Sequence, residues 1–88
     1  MEYVYVLHSK ADSQLYTGLT SDLKRRLEKH NAGEVPSTKH RVPFRLVYYE
    51  ACLSRTDAAA REKYLKSGMG KRYLKNRLKD PVRGLEDL

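Results

Sequence analysis

Two short segments near the N-terminus commit this chain to a β-hairpin. From Tyr3 to His8 the residues are almost all β-branched or aromatic and alternate as a strand does. Ser9-Lys10-Ala11-Asp12-Ser13 has the polar make-up of a turn. Leu15-Tyr16-Thr17 then begins a second strand, which Gly18 is expected to close. Because side chains alternate across a strand, Tyr3 and Tyr5 share one face.

A basic helix follows at once. Thr20 or Ser21 is its expected cap, with Asp22 favourable in the first turn, and Gly33 supplies a stop after about Ala32. Residues 34–42 read as a loop closed by Pro43, and Phe44 to Leu53 as a third strand. Ser54-Arg55-Thr56-Asp57 resembles a capping box ahead of Ala58-Ala59-Ala60. The second helix should reach about Ser67, be broken by Gly68 and Gly70, and give way to a third, strongly basic helix from Lys71 to Lys79. Asp80-Pro81 ends that helix, leaving residues 82–88 as a frayed end. The expected class is α+β: a small three-stranded, mostly antiparallel sheet flanked by three helices, one domain over residues 1–80 with a tail over 81–88.

Composition narrows the function. With 88 residues and 40% hydrophobic content there is material for one modest core. Lys and Arg number 18 against 11 acids, a net charge of +7, which favours a polyanionic partner such as nucleic acid. The single cysteine, Cys52, excludes an intrachain disulfide and a cysteine zinc cage. It lies in an apolar stretch and reads as a buried structural thiol. Met1-Glu2-Tyr3 lacks the basic start of a signal peptide, and the apolar runs are too short to span a bilayer. A cytoplasmic protein without membrane contact is expected.

The helices place charged groups in telling positions. At about 100° per residue, Leu23 and Leu27 lie on one face of the first helix, with His30 between them and Arg26 at the edge, near the sheet. Lys24, Arg25 and Lys29 are left on the solvent side. In the second helix Ala58, Leu65 and Met69 form the apolar stripe, and Glu62 falls inside it. A carboxylate there is costly unless it is paired or binds a cation. One carboxylate with water ligands suits Mg²⁺, and an ion pair with Arg26 is the structural alternative. His8 reads as a strand-end residue and His40 as a loop residue, and no His/Asp/Glu spacing builds a zinc site. The third helix carries Lys71, Arg72, Lys75, Arg77 and Lys79 around Leu74 and Leu78, and no acid stands between Glu62 and Asp80. Such a face can track a phosphate backbone. Tyr48 and Tyr49 should point to opposite faces of the third strand, one packing and one lining a cleft. Composition alone does not select Tyr5 and Tyr16 from the seven tyrosines.

A family resemblance does. Tyr3-Val4-Tyr5 and Tyr16-Thr17-Gly18, followed by the helix through Arg26, His30 and Asn31 and later by Arg61-Glu62-Lys63, resemble the GIY-YIG nuclease family over residues 3–79. The chain looks like the small stand-alone bacterial members. Related catalytic domains occur in the excision-repair nuclease, in homing endonucleases and in some restriction enzymes, which puts DNA repair among the settings. The resemblance implies a metal-dependent endonuclease acting on DNA with Mg²⁺ or Mn²⁺. It implies Tyr5 as general base or water-positioning group, Tyr16 as its partner on water and phosphate, and Arg26 on the pentavalent phosphate. His30 is implied as an auxiliary residue and Glu62 as metal ligand. Arg25, Lys29, Lys71, Arg72 and Lys75 are the expected nucleic-acid contacts. Tyr3, Val4 and Thr17 depart from the family's glycine and isoleucines but leave its tyrosines in place. Asn76 is the one candidate for a late asparagine near the metal. No second domain is seen to supply specificity, so a specificity-conferring protein partner is an option. A non-catalytic nucleic-acid-binding module of the same fold is the alternative reading.

Overall fold

The computed structural model describes residues 1–78, so Lys79, the Asp80-Pro81 stop and the tail lie outside the described residues. Strand β1 (Glu2–Ser9) is central and pairs antiparallel with both β2 (Leu15–Thr20) and β3 (Phe44–Cys52), giving the order β2-β1-β3. Helix α1 (Leu23–Asn31) joins β2 to β3 by way of a single 3₁₀ turn (Lys39–Arg41) inside the expected loop. Helices α2 (Arg55–Lys66) and α3 (Gly68–Arg77) follow β3.

Alternation along β1 splits the core in two. Val4 and Val6 face Ala58, Leu65 and Leu74, so α2 and α3 cover one side of the sheet. Tyr5 and Leu7 face the other way, with Phe44, Leu23 and Leu27, so α1 covers the opposite side. Complete burial of Val4, Val6, Leu7, Leu65 and Leu74 stabilises by roughly 1.5–3 kcal/mol each, before conformational entropy is set against it. A bulge in β3 opposite Val6 and Leu7 resets the parity of that strand. Leu46 and Tyr49 therefore share the α1 side, while Tyr48 turns to the α2–α3 side. There Tyr48 donates to Glu50 at 2.7 Å and meets the Tyr73 hydroxyl at 2.8 Å. Arg61 donates to both Glu50 oxygens at 2.8 and 3.0 Å and lies over the rings of Tyr64 and Tyr73. Burial pushes the Glu50 carboxyl up, but the bonds from Arg61 and Tyr48 outweigh it and hold it below its ordinary value.

Several local expectations need correction. Asp22, and not Thr20 or Ser21, caps α1, accepting from the Arg25 amide at 3.1 Å. The Thr20 hydroxyl instead accepts from the Asp22 amide, setting the turn before the cap. Gly18 does not close β2, which runs on to Thr20. Gly68 and Gly70 do not separate α2 from α3 either. Ser67 does that alone, ending α2 and capping α3 through the Gly70 amide. Gly70 sits where a Cβ would fall 2.5 Å from Leu65 Cα, so it permits the close crossing of the two helices. Met69 consequently belongs to α3 and is 68% exposed, outside the stripe of α2. The Gly33 stop is as expected, with φ +74° just past α1. Cys52 is half-buried and packs on the α2–α3 core.

Candidate active site

The tyrosine selected by sequence sits at the centre of a polar cluster beneath α1. Tyr5 is almost fully buried, and its ring lies over Gly18, its antiparallel partner on β2. A Cβ at Gly18 would fall 2.5 Å from Tyr5 Cζ, so glycine is what admits the ring. The Tyr5 hydroxyl then reaches α1, where His30 Nε2 stands 2.9 Å away and Arg26 Nε donates to it at 3.3 Å. Tyr16 lies on the same side, with ring centroids 6.4 Å from Tyr5 and 5.1 Å from His30. Phe44 completes the aromatic enclosure of His30 at 5.7 Å.

The histidine has a second polar neighbour. His30 Nδ1 is 2.8 Å from the hydroxyl of Thr38, which is itself buried and lies 3.4 Å from the Val35 carbonyl. The Nδ1–H tautomer pairs with a Thr38 hydroxyl that accepts and a Tyr5 hydroxyl that donates, and the Nε2–H tautomer reverses both bonds. Burial, then the Arg26 charge, lowers the His30 pKa from 6.5 to about 4, so the ring is neutral at physiological pH. Burial raises the Tyr5 pKa and the Arg26 hydrogen bond offsets this only in part, so the phenol keeps its proton. Its bond with Tyr5 in turn raises Arg26, whose charge Tyr16 also stabilises.

Arg26, His30, Tyr5 and Tyr16 are thus brought together as expected. Glu62 forms no hydrogen bond or ion pair with them among the described residues. Its side chain is 23% exposed on α2 and its ion-pair partner is Lys66, one turn on, at 3.1 Å; it is not Arg26. The Glu62 charge nevertheless acts on Tyr5, contributing to the upward shift of the phenol. Among the described residues no three His, Cys, Asp or Glu side chains gather as a metal cluster. A single carboxylate such as Glu62 would fit a hard cation that keeps most of its water and would not fit zinc.

The basic residues divide. Arg25 is exposed on α1, as the wheel has it, whereas Lys29 is partly buried and does not stand wholly on the solvent side. Lys71 and Lys66 line a hollow of about 270 Å³ that Tyr16 and Thr17 also border, which puts α3 beside the second tyrosine. Arg72, Lys75 and Asn76 are exposed on α3. Two residues were not legible as part of the cluster. Thr38 lies in a segment without periodicity. Asn31 ties the end of α1 to β3, donating to the Phe44 carbonyl at 3.1 Å and accepting from its amide at 2.7 Å.

A short sheet thus carries Tyr5 and Tyr16 beside Arg26 and His30 of the following helix. Residues 1–79 match the GIY-YIG catalytic domain, and the chain belongs to the GIY-YIG nuclease family. Its relatives include a UPF0213 protein of Haloquadratum walsbyi, 44% identical over 66 residues, which are 74% of this chain and 73% of that one. A UPF0213 protein of Streptococcus pyogenes serotype M5 is 48% identical over 65 residues, 73% of this chain and 70% of its own. The fold is likewise that of the solution NMR structure of a UPF0213 protein from Bacillus halodurans. That match has a TM-score of 0.56 and 39% identity, and covers 92% of this chain and 89% of the other. No helix among the described residues is long and apolar enough to cross a membrane.

Proposed function

We propose that the chain is a metal-dependent endonuclease that hydrolyses DNA phosphodiester bonds. The observation that carries this reading is the Tyr5 hydroxyl, held between a neutral His30 and the charge of Arg26. A protonated phenol is a poor base by itself. Tyr5 therefore acts by position: beside a His30 that resists a second proton, its hydroxyl hydrogen-bonds the attacking water and aims it at phosphorus. The new P–O bond forms as the bond to the leaving oxygen breaks, the proton of the attacking water is lost to solvent, and a solvent proton goes to the leaving oxygen.

Arg26 stands where negative charge builds on the phosphate oxygens, and a guanidinium serves this role without titrating. Tyr16 borders the same space and helps hold water and phosphate. Glu62 would hold Mg²⁺ or Mn²⁺, an ion that supplies Lewis-acid stabilisation of the phosphate when bound. Arg25, Lys29, Lys71, Arg72 and Lys75 would position the nucleic-acid backbone without reading its sequence. A cytoplasmic setting and a protein partner that adds specificity are consistent with this reading.

The test is cleavage of end-labelled duplex, single-stranded, flap and branched DNA with Mg²⁺ or Mn²⁺, beside Tyr5→Phe and Glu62→Ala. Wild type should cut and neither variant should. Tight, salt-sensitive binding with no cutting of any DNA would replace the enzyme by a non-catalytic nucleic-acid-binding module.

A further inference from the structure

Beside α1 the molecule has a second feature that the cleavage chemistry does not use. A groove of about 560 Å³ opens between α1 and β3. Leu23, Leu27 and Leu46 form its apolar floor, Tyr3 and Tyr49 its aromatic wall, and Lys24 stands at its rim. Tyr49 is 53% exposed and meets Tyr3 edge-on, with centroids 6.1 Å apart. Buried aromatic pairs stabilise a core; this one leaves a large ring uncovered beside a hollow. The bulge in β3 is what puts Tyr49 there, by giving it the same side of the sheet as Leu46.

Resting on the nucleic-acid reading above, we propose that this groove receives one unpaired base of the substrate, stacked on Tyr49, with Lys24 on the phosphate of the same nucleotide. The volume lies in the range of roughly 300–1,000 Å³ common to small-ligand sites. A nucleobase brings a flat apolar face for the leucines and a π-surface for the tyrosine, and it arrives with a negative backbone that suits a chain of charge +7. Asp22, also at the rim, is occupied in capping α1, so its carboxylate already has a partner. A base held in a duplex stack cannot enter such a groove, so the substrate must offer a single-stranded or extrahelical nucleotide. Tyr3 lies two residues from Tyr5 on one face of β1, about 7 Å along the strand. That spacing puts the docked base about one nucleotide from the phosphate to be cut.

The experiment is fluorescence anisotropy in EDTA, which separates binding from cutting. Labelled ten-nucleotide oligothymidylate is compared with an abasic strand of the same length and charge. Wild type should bind the thymidylate about tenfold more tightly than the abasic strand, as expected for one stacked base. Tyr49→Ala should remove that ratio while leaving abasic binding unchanged, Tyr49→Phe should keep it, and Lys24→Ala should weaken both strands alike. Equal affinities in wild type, or parallel losses in Tyr49→Ala, would overturn the groove assignment even if cleavage by wild type is intact. Absence of binding to either strand would overturn this assignment, while the nuclease reading stands or falls with the cleavage assay. Self-association of wild type that Tyr49→Ala abolishes would give the groove to a second copy of the chain instead.

Discussion

His30 should make the stability of this domain fall between pH 6.5 and 4, ahead of ordinary acid denaturation. The ring is fully buried, is hydrogen-bonded to Thr38 and to Tyr5, and shares its enclosure with the Arg26 charge. Each feature opposes a second proton. A histidine with its folded pKa lowered to about 4 from 6.5 is neutral when folded and protonates more readily when unfolded. Its contribution is therefore complete above pH 6.5 and is lost as pH falls toward 4. At 1.36 kcal/mol per pKa unit, the loss is about 2 kcal/mol at pH 5 and about 3 kcal/mol at pH 4. That is a large part of the stability of a domain this small.

Urea unfolding at pH 7, 6, 5 and 4 measures it directly, with His30→Gln as the non-titrating control. Glutamine should lower stability at pH 7 but flatten the slope between pH 6.5 and 4. The carboxylates do not confuse the comparison. Asp12, bonded to Arg41, and Glu50, bonded to Arg61 and Tyr48, have depressed values, so their contributions are lost at lower pH than that of His30. They are also common to both proteins. An imidazole titration near 6.5 by NMR, or parallel curves for wild type and His30→Gln, would refute the account of a buried neutral ring.

Other consequences follow from the same cluster and from the basic surface. Gly18→Ala forces a methyl group against the Tyr5 ring; it should destabilise by about 1–3 kcal/mol in urea unfolding and abolish cutting, since the hydroxyl cannot stay on His30. Thr38→Val removes the hydrogen-bond partner of Nδ1 in a buried place; a cost of about 1–3 kcal/mol is expected, with a change at the imidazole nitrogens visible in ¹⁵N spectra. Lys71→Ala combined with Arg72→Ala should weaken binding to all DNA sequences equally and reduce the slope of log K against log salt by about 2, close to 0.9 per lost phosphate contact. An unchanged slope would remove α3 from the interface.

What was legible in the sequence was whatever a regular period could transmit. Arg26 and His30 were placed correctly because a helix starting near Leu23 has no freedom in where its fourth and eighth residues point. Tyr3 and Tyr5 shared a face for the same reason. The errors lie where the deciding contact is distant in sequence. Thr38 is eight residues from His30 in a loop, and only the folded chain shows that its hydroxyl is the partner of the ring. Tyr48 and Tyr49 take opposite sides by simple alternation, as expected; the bulge at Val47 is what returns Leu46 to the side of Tyr49, and only the pairing with Val6 and Leu7 shows it.

Gly18 is the most instructive of these residues. A glycine after Leu15-Tyr16-Thr17 has the form of a strand end, and nothing within five residues argues otherwise. Its cause lies across the sheet, on β1, where Tyr5 needs the volume that any Cβ would take. Had the strand ended at Gly18, Val4 and Tyr3 would lack their partners Leu19 and Thr20 on β2. With the strand continuing to Thr20, the glycine becomes the gap through which the phenol crosses β2 to reach His30 and Arg26. The same absence of a side chain that weakens a strand locally therefore assembles the cluster. This is why a glycine and a tyrosine 13 residues apart must be read together.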